Sequence, residues 1–115
     1  MSIAIDERMN SRFKEVTGKI TDLGRKIIPA GGKLLLYGSR ARSEAKDDSD
    51  WDLLILLDKP KIDQSDFDEI AFPFISLGWD IGEMISAQTY TKEYWSKYSF
   101  LPFVKNVEHD KIELV

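Results

Sequence analysis

The sequence predicts one α/β (α+β) domain, in the order helix, strand, short helix, strand, helix, strand. Three observations carry this. Apolar residues recur at helical spacing from Met9 to Ile27. Two short, almost wholly apolar runs follow, Leu34–Tyr37 and Trp51–Leu57, the second typical of a strand buried on both faces. Between them lies the stretch that the rest is organised around, Gly38 to Leu57, GSRARSEAKDDSDWDLLILL.

A length of 115 residues gives one domain with a sizeable core, spanning 1–115 with no second catalytic domain expected. Hydrophobic residues make up 43% of the chain, with three Trp, six Phe and four Tyr, which argues against disorder. No cysteine is present, so disulfides, thiolate chemistry and cysteine-held zinc are excluded. The start, MSIAIDERMN, lacks the apolar run of a signal peptide, and no stretch approaches the roughly 20 apolar residues of a membrane span. A cytoplasmic location and no membrane partner are the expectation.

The net charge of −4 is unevenly placed. Residues 1–46 carry ten Lys/Arg against five Asp/Glu, and residues 47–115 carry six against fifteen. A basic segment leading to the glycine corner can attract a polyphosphate, and the acidic remainder calls for cations at its carboxylates. For residues 8–33 a lysine-rich wet helix face accounts for the charge. Aromatic residues are not interleaved with the basic ones, which argues against a nucleic-acid groove.

In chain order, Met9, Phe13, Val16, Ile20, Leu23 and Ile27 form one face of a helix beginning near Asp6, and Pro29 with Gly31-Gly32 stops it. Lys33–Tyr37 is a buried strand. Gly38 lets the backbone approach a phosphate, Ser39 offers a hydroxyl, and N–H groups of the following helix favour negative charge. The plainer alternative makes Ser39 the N-cap of that helix. Glu44–Ser49 reads as a polar surface loop, with Asp47 and Asp48 solvated.

Asp50 and Asp52 are two residues apart at the head of the next strand. That spacing puts both on one face with Cα atoms about 6.6 Å apart. Magnesium takes oxygen ligands at about 2.0–2.1 Å and two-metal sites hold their ions about 3.5–4 Å apart, so such carboxylates can serve a cation pair. Without a counter-charge the two acids would repel each other.

Together the strings GS-x-AR and SD-x-DLL resemble the signature of the DNA polymerase beta-like nucleotidyltransferases, above all the small stand-alone minimal nucleotidyltransferases. The resemblance implies a nucleotidyltransferase palm with a mixed sheet of about four strands flanked by helices. It implies transfer of a nucleoside monophosphate, AMP from ATP, to a hydroxyl by a two-metal mechanism with Mg2+ or Mn2+. Gly38, Ser39 and Arg40 would lie at the nucleotide, the arginine mainly supporting the loop. Asp50, Asp52 and a third carboxylate on a neighbouring strand would be catalytic and hold metal. Family members often carry that third acid among apolar residues, and Asp80 in Trp79-Asp80-Ile81 is the match, with Glu83 its competitor. Where the family usually has glycine this chain has Ser43, a departure confined to the turn after the short helix. The resemblance also implies an acceptor presented by a partner, a HEPN-type helical protein as in toxin–antitoxin pairs, or a self-dimer. A contact module acting as antitoxin without catalysis is the alternative.

Beyond the strand, Lys59-Pro60 breaks it, and Phe67, Ile70, Ala71, Phe74 and Leu77 give a second helical face that Pro73 should kink and Gly78 end. Trp79–Ile85 reads as a strand continuing toward Tyr90. Thr91 caps a short helix, Pro102–His109 forms another with Phe103 and Val107 inward, and Lys111–Val115 is a last short strand or tail. The aromatic residues Tyr90, Tyr94, Trp95, Tyr98, Phe100 and Phe103 read as core before interface. His109, the single histidine, reads as a surface residue.

Overall fold

The computed structural model describes residues 11–46 and 48–115. The expected helix start near Asp6, Met9 on its face and Asp47 lie outside the described residues. Helix α1, Ser11–Ile27, buries Phe13, Val16 and Ile20, spaced three and four apart, and its wet face carries the lysines. Strand β1, Lys33–Tyr37, leads directly into the four-residue helix α2, Gly38–Ala41. Strand β2 is Trp51–Leu57 and has six fully buried residues around one half-buried acid, Asp52.

A longer helical stretch joins β2 to the next strand. It starts as α3, Gln64–Asp66, and Asp63 caps it in a reciprocal box with Asp66. It widens into one π-helical turn over Phe67–Ala71 and continues as α4, Phe72–Ile81. Pro73 has no N–H to give, and the wider turn just before it absorbs the missing donor, so the helix neither breaks nor ends there. Strand β3, Ile85–Thr91, is followed by α5, Lys92–Lys97, whose N-cap Thr91 accepts a bond of 3.0 Å from the Tyr94 N–H. Helix α6, Pro102–Asp110, and strand β4, Ile112–Glu113, complete the described chain.

The sheet has the order β3-β2-β1-β4. β1 pairs antiparallel with β2 and β4, and β2 pairs parallel with β3 across the α3–α4 crossover. One sheet face presents Leu34, Leu36, Trp51, Leu53 and Ile55 to α1 and α4; the other presents Leu35, Leu54 and Leu56 to Trp95, Val104 and Val107 of α5 and α6. A central strand covered on both faces explains why β2 is almost unbroken in its apolarity. The mixed sheet of four strands flanked by helices is the expected architecture. Among the described residues no helix is long and apolar enough to cross a membrane.

Two elements depart from expectation. Gly78 does not end the second helix: it is buried inside α4, where a Cβ would sit 2.6 Å from the Glu83 carbonyl oxygen and 3.0 Å from Ile85 Cγ1. The helix instead stops at Gly82, which adopts the left-handed conformation at φ 74°. Trp79-Asp80-Ile81 is therefore the last turn of a helix and no part of a strand, which begins only at Ile85. In α6, Val104 and Val107 face inward, while Phe103 is 40% exposed and meets Tyr37 edge-on at 5.8 Å.

Candidate active site at the glycine corner

The end of β1 and the head of β2 lie side by side because Tyr37 pairs with Asp52 in the antiparallel register. Gly38, immediately after that pair, turns with φ 75°, and a Cβ on it would lie 2.3 Å from Asp52 Oδ2. Only glycine serves there. The conformation disfavours any L side chain, and the backbone must come close to the carboxylate. The glycine corner and the β2 acids are thus joined in space as well as in sequence.

Asp52 Oδ1 accepts a hydrogen bond of 3.0 Å from Ser86 Oγ, its register neighbour on β3. Burial raises the Asp52 pKa above the ordinary carboxylate value and the charge of Asp50 adds to the rise, against the opposing pull of Ser86 and Arg42. Asp50 is exposed at the strand's mouth. Asp52 is thus a half-buried carboxylate beside a like charge, with Ser86 as its neutral donor and Arg42 as the cation that acts on it. Tyr37 borders it, its phenol pushed up to about 12 by burial and the Asp52 charge, so it stays protonated.

Ser39 lies inside the first turn of α2. The cap position falls to Tyr37 with no side-chain bond, so Ser39 is not an N-cap. Arg40 is buried on the opposite face of β2 from Asp52, its guanidinium 4.5 Å from the centre of the Trp51 ring. It donates to the Ser49 carbonyl at 2.9 Å and lies 4.0 Å from Glu83. The bond to Ser49 ties α2 to the segment that delivers Asp50. Arg42 donates to Asp110 at 2.9 Å and is the cation whose charge reaches Asp52.

The two candidates for a third carboxylate go elsewhere. Asp80 is exposed in the last turn of α4. Glu83 precedes β3 and accepts from Trp51 Nε1 at 2.9 Å and from Arg12 Nη2 at 2.7 Å. Burial raises its pKa, but the bonds from Trp51 and Arg12 and the charges of Arg12 and Arg40 outweigh it and leave the net shift downward. Glu83 is thus a fastening between α1, β2 and the β3 entry. Among the described residues no three acids or histidines gather into a metal-holding group. Ser86 stands beside Asp52 instead, a residue that only the β3 register could reveal. A separate cleft of about 380 Å³, lined by Tyr90, Tyr94 and Tyr98, lies at the far end of β3 from the acids.

Among the described residues the acids brought to this corner are two, Asp52 and Asp50, fewer than the three of a metal-holding group.

A four-stranded mixed sheet with a glycine corner against a β2 aspartate defines a nucleotidyltransferase-type palm. The model of the nucleotidyltransferase domain family matches residues 19–113, and the chain belongs to that family. A solved structure, the crystal structure of a toxin-antitoxin with AMP-PNP, superposes with a TM-score of 0.59 at 19% identity, covering 86% of this chain and 72% of that one. That likeness is one of fold. No curated protein matches the sequence.

Proposed function

We propose that this chain binds a nucleoside triphosphate, ATP, at the glycine corner and transfers its monophosphate, AMP, to a hydroxyl on a partner protein or small molecule. The observation that carries the reading is the approach of Gly38 to Asp52, because it sets a glycine turn against a half-buried carboxylate in a chain of this family. Gly38 and Ser39 grip phosphate oxygens through backbone N–H and hydroxyl. Asp50 and Asp52 would hold Mg2+ or Mn2+, which when bound would supply positive charge to the triphosphate. Arg40 acts through the loop, keeping Asp50 beside Asp52.

In the transfer, the acceptor oxygen forms a bond to the α-phosphorus as the bond to the bridging oxygen breaks and pyrophosphate leaves. The hydroxyl's proton passes to solvent water. Asp80 and Glu83 take no part. The acceptor's carrier is proposed to be a HEPN-type helical protein, or a second copy of this chain; the solved neighbour, a toxin-antitoxin with AMP-PNP, supports a partner protein in general. The setting is the cytoplasm.

Transfer of label from α-phosphorus-labelled ATP tests the activity. Asp52→Asn should abolish it with the circular dichroism spectrum unchanged, and unaltered transfer would remove Asp52 from the site.

A second reading has support of its own. β3 lacks an acid and Phe100 and Phe103 are exposed near the C-terminus, as suits a module that acts by contact with its partner. Light scattering after size exclusion, with and without the adjacent gene's product, measures the contact, and metal-dependent ATP binding separates the two readings.

A further inference from the structure

We propose that two copies of this chain pair through the outer edge of β3, antiparallel across a two-fold axis, so that their four-stranded sheets join into one continuous sheet. The inference does not depend on the nucleotidyl-transfer reading.

β3 is the last strand of the sheet and is bonded to β2 alone. The bond from the Trp51 N–H to the Met84 carbonyl sets the alternation of this parallel ladder, which turns the N–H and C=O of Ala87 and Thr89 away from β2. Among the described residues no backbone group pairs with them. An edge left in that state is a template for another strand, and proteins commonly blunt it with charge, proline or brevity. At the opposite edge β4 is two residues long. β3 has seven residues, ISAQTYT, with neither a charge nor a proline.

The two ends of this edge differ in a way that selects a second copy as the occupant. At the start of β3 a cleft of about 440 Å³ is lined by Trp79, Met84, Asp48 and Glu83, with Asp80 exposed next to Trp79. Trp79 and Met84 are 61% and 57% exposed. At the end of β3 the cleft of about 380 Å³ is lined by Tyr94, Tyr98, Lys61 and Lys97, with Glu93 its one acid. Antiparallel pairing lays the start of one β3 against the end of the other, so each acidic, apolar cleft meets a basic, aromatic one. Parallel pairing would set acid against acid. The match repeats across the axis, as a contact between identical surfaces requires. Gln88, exposed at the midpoint of the strand, falls on the axis opposite its own copy.

Sedimentation velocity of the full chain across a concentration series reads the association state, and a dimer is the expected species. Ala87→Pro removes an outward N–H at an edge position that proline tolerates, and should raise the dimer dissociation constant about thirtyfold, from one lost hydrogen bond per copy. Gln88→Lys sets like charges across the axis and should raise it as well. Circular dichroism checks the fold of each variant, and Gln88→Lys decides alone if Ala87→Pro does not fold. The chain has no cysteine, so Gln88→Cys adds a single thiol. Opposite residues at the axis form a pair with Cα atoms about 4.5 Å apart, within disulfide reach, and mild oxidation should link the copies. Lys19→Cys, on the wet face of α1, should not link.

A monomer at every concentration, left unlinked in Gln88→Cys, would overturn the pairing. So would a dimer that Gln88→Lys leaves intact and Gln88→Cys does not link, since its contact would lie elsewhere. A chain that is monomeric alone, and whose complex with the adjacent gene's product is lost in Gln88→Lys, would overturn it too and give the edge to another protein.

Discussion

Replacing Gly38 by alanine should cost about 3 kcal/mol of folding stability, and more than half of that should depend on Asp52. The backbone at φ 75° disfavours any L side chain by about 1–2 kcal/mol. The added methyl would stand 2.3 Å from Asp52 Oδ2 and 3.3 Å from its Cγ, so the carboxylate must swing away. It then loses the Ser86 hydrogen bond, which as a bond to a charged group contributes about 1.5–3 kcal/mol. With Asp52→Ala in the background only the backbone part remains, because the Asp52 Cβ lies at an ordinary 3.5 Å. Urea unfolding of the wild type, the two single variants and the double variant should therefore give a coupling energy of about 1.5–2 kcal/mol. Costs that simply add would refute the claim that the glycine corner closes on this carboxylate.

Asp52→Asn should stabilise the cation-free protein at pH 7. With a raised pKa the folded state holds its proton longer than the unfolded chain, so wild-type stability falls as pH climbs from about 4 through the folded pKa, and the variant should lack that fall in a series of thermal melts. Glu83→Gln should act in the opposite sense. The lowered pKa makes the ionised form stabilising above the unfolded value, so the variant should lose about 1–2 kcal/mol at pH 7 and progressively less as pH falls through the folded pKa, by urea unfolding. At Ser43, whose φ is 60°, Ser43→Gly should be about 1 kcal/mol more stable than Ser43→Ala, since both lose the hydroxyl and only glycine escapes the left-handed penalty.

Most of the fold could be read where local pattern and tertiary demand coincide. The spacing of Phe13, Val16 and Ile20, the apolar run of β2 and the cap at Thr91 each have one physical reading, and the structure follows it. The segment from Gly78 to Glu83 has two. A glycine after an apolar helical face is as good a terminator as it is a close-packing residue, and only the proximity of the Glu83 carbonyl and Ile85 shows that Gly78 is the second kind. Taken as a terminator, Gly78 would put Asp80 on a strand, whereas Asp80 lies in the last turn of α4. Gly38 with Asp52 was legible because residue type, spacing and backbone geometry all point one way, and the Ser43 departure falls at the positive-φ position that glycine would fill. Ser86 was not legible, because a serine acquires meaning only from the strand registered against it. Arg40 was half legible: its support of the loop could be expected, its burial on Trp51 could not.

Titration calorimetry of ATP into the full chain, in magnesium and again in EDTA, tests most directly whether the Gly38–Asp52 corner is a nucleotide site. Saturable binding that needs magnesium and disappears in Asp52→Asn is the expected result. Binding that is equally strong in EDTA, or that survives Asp52→Asn, would contradict it.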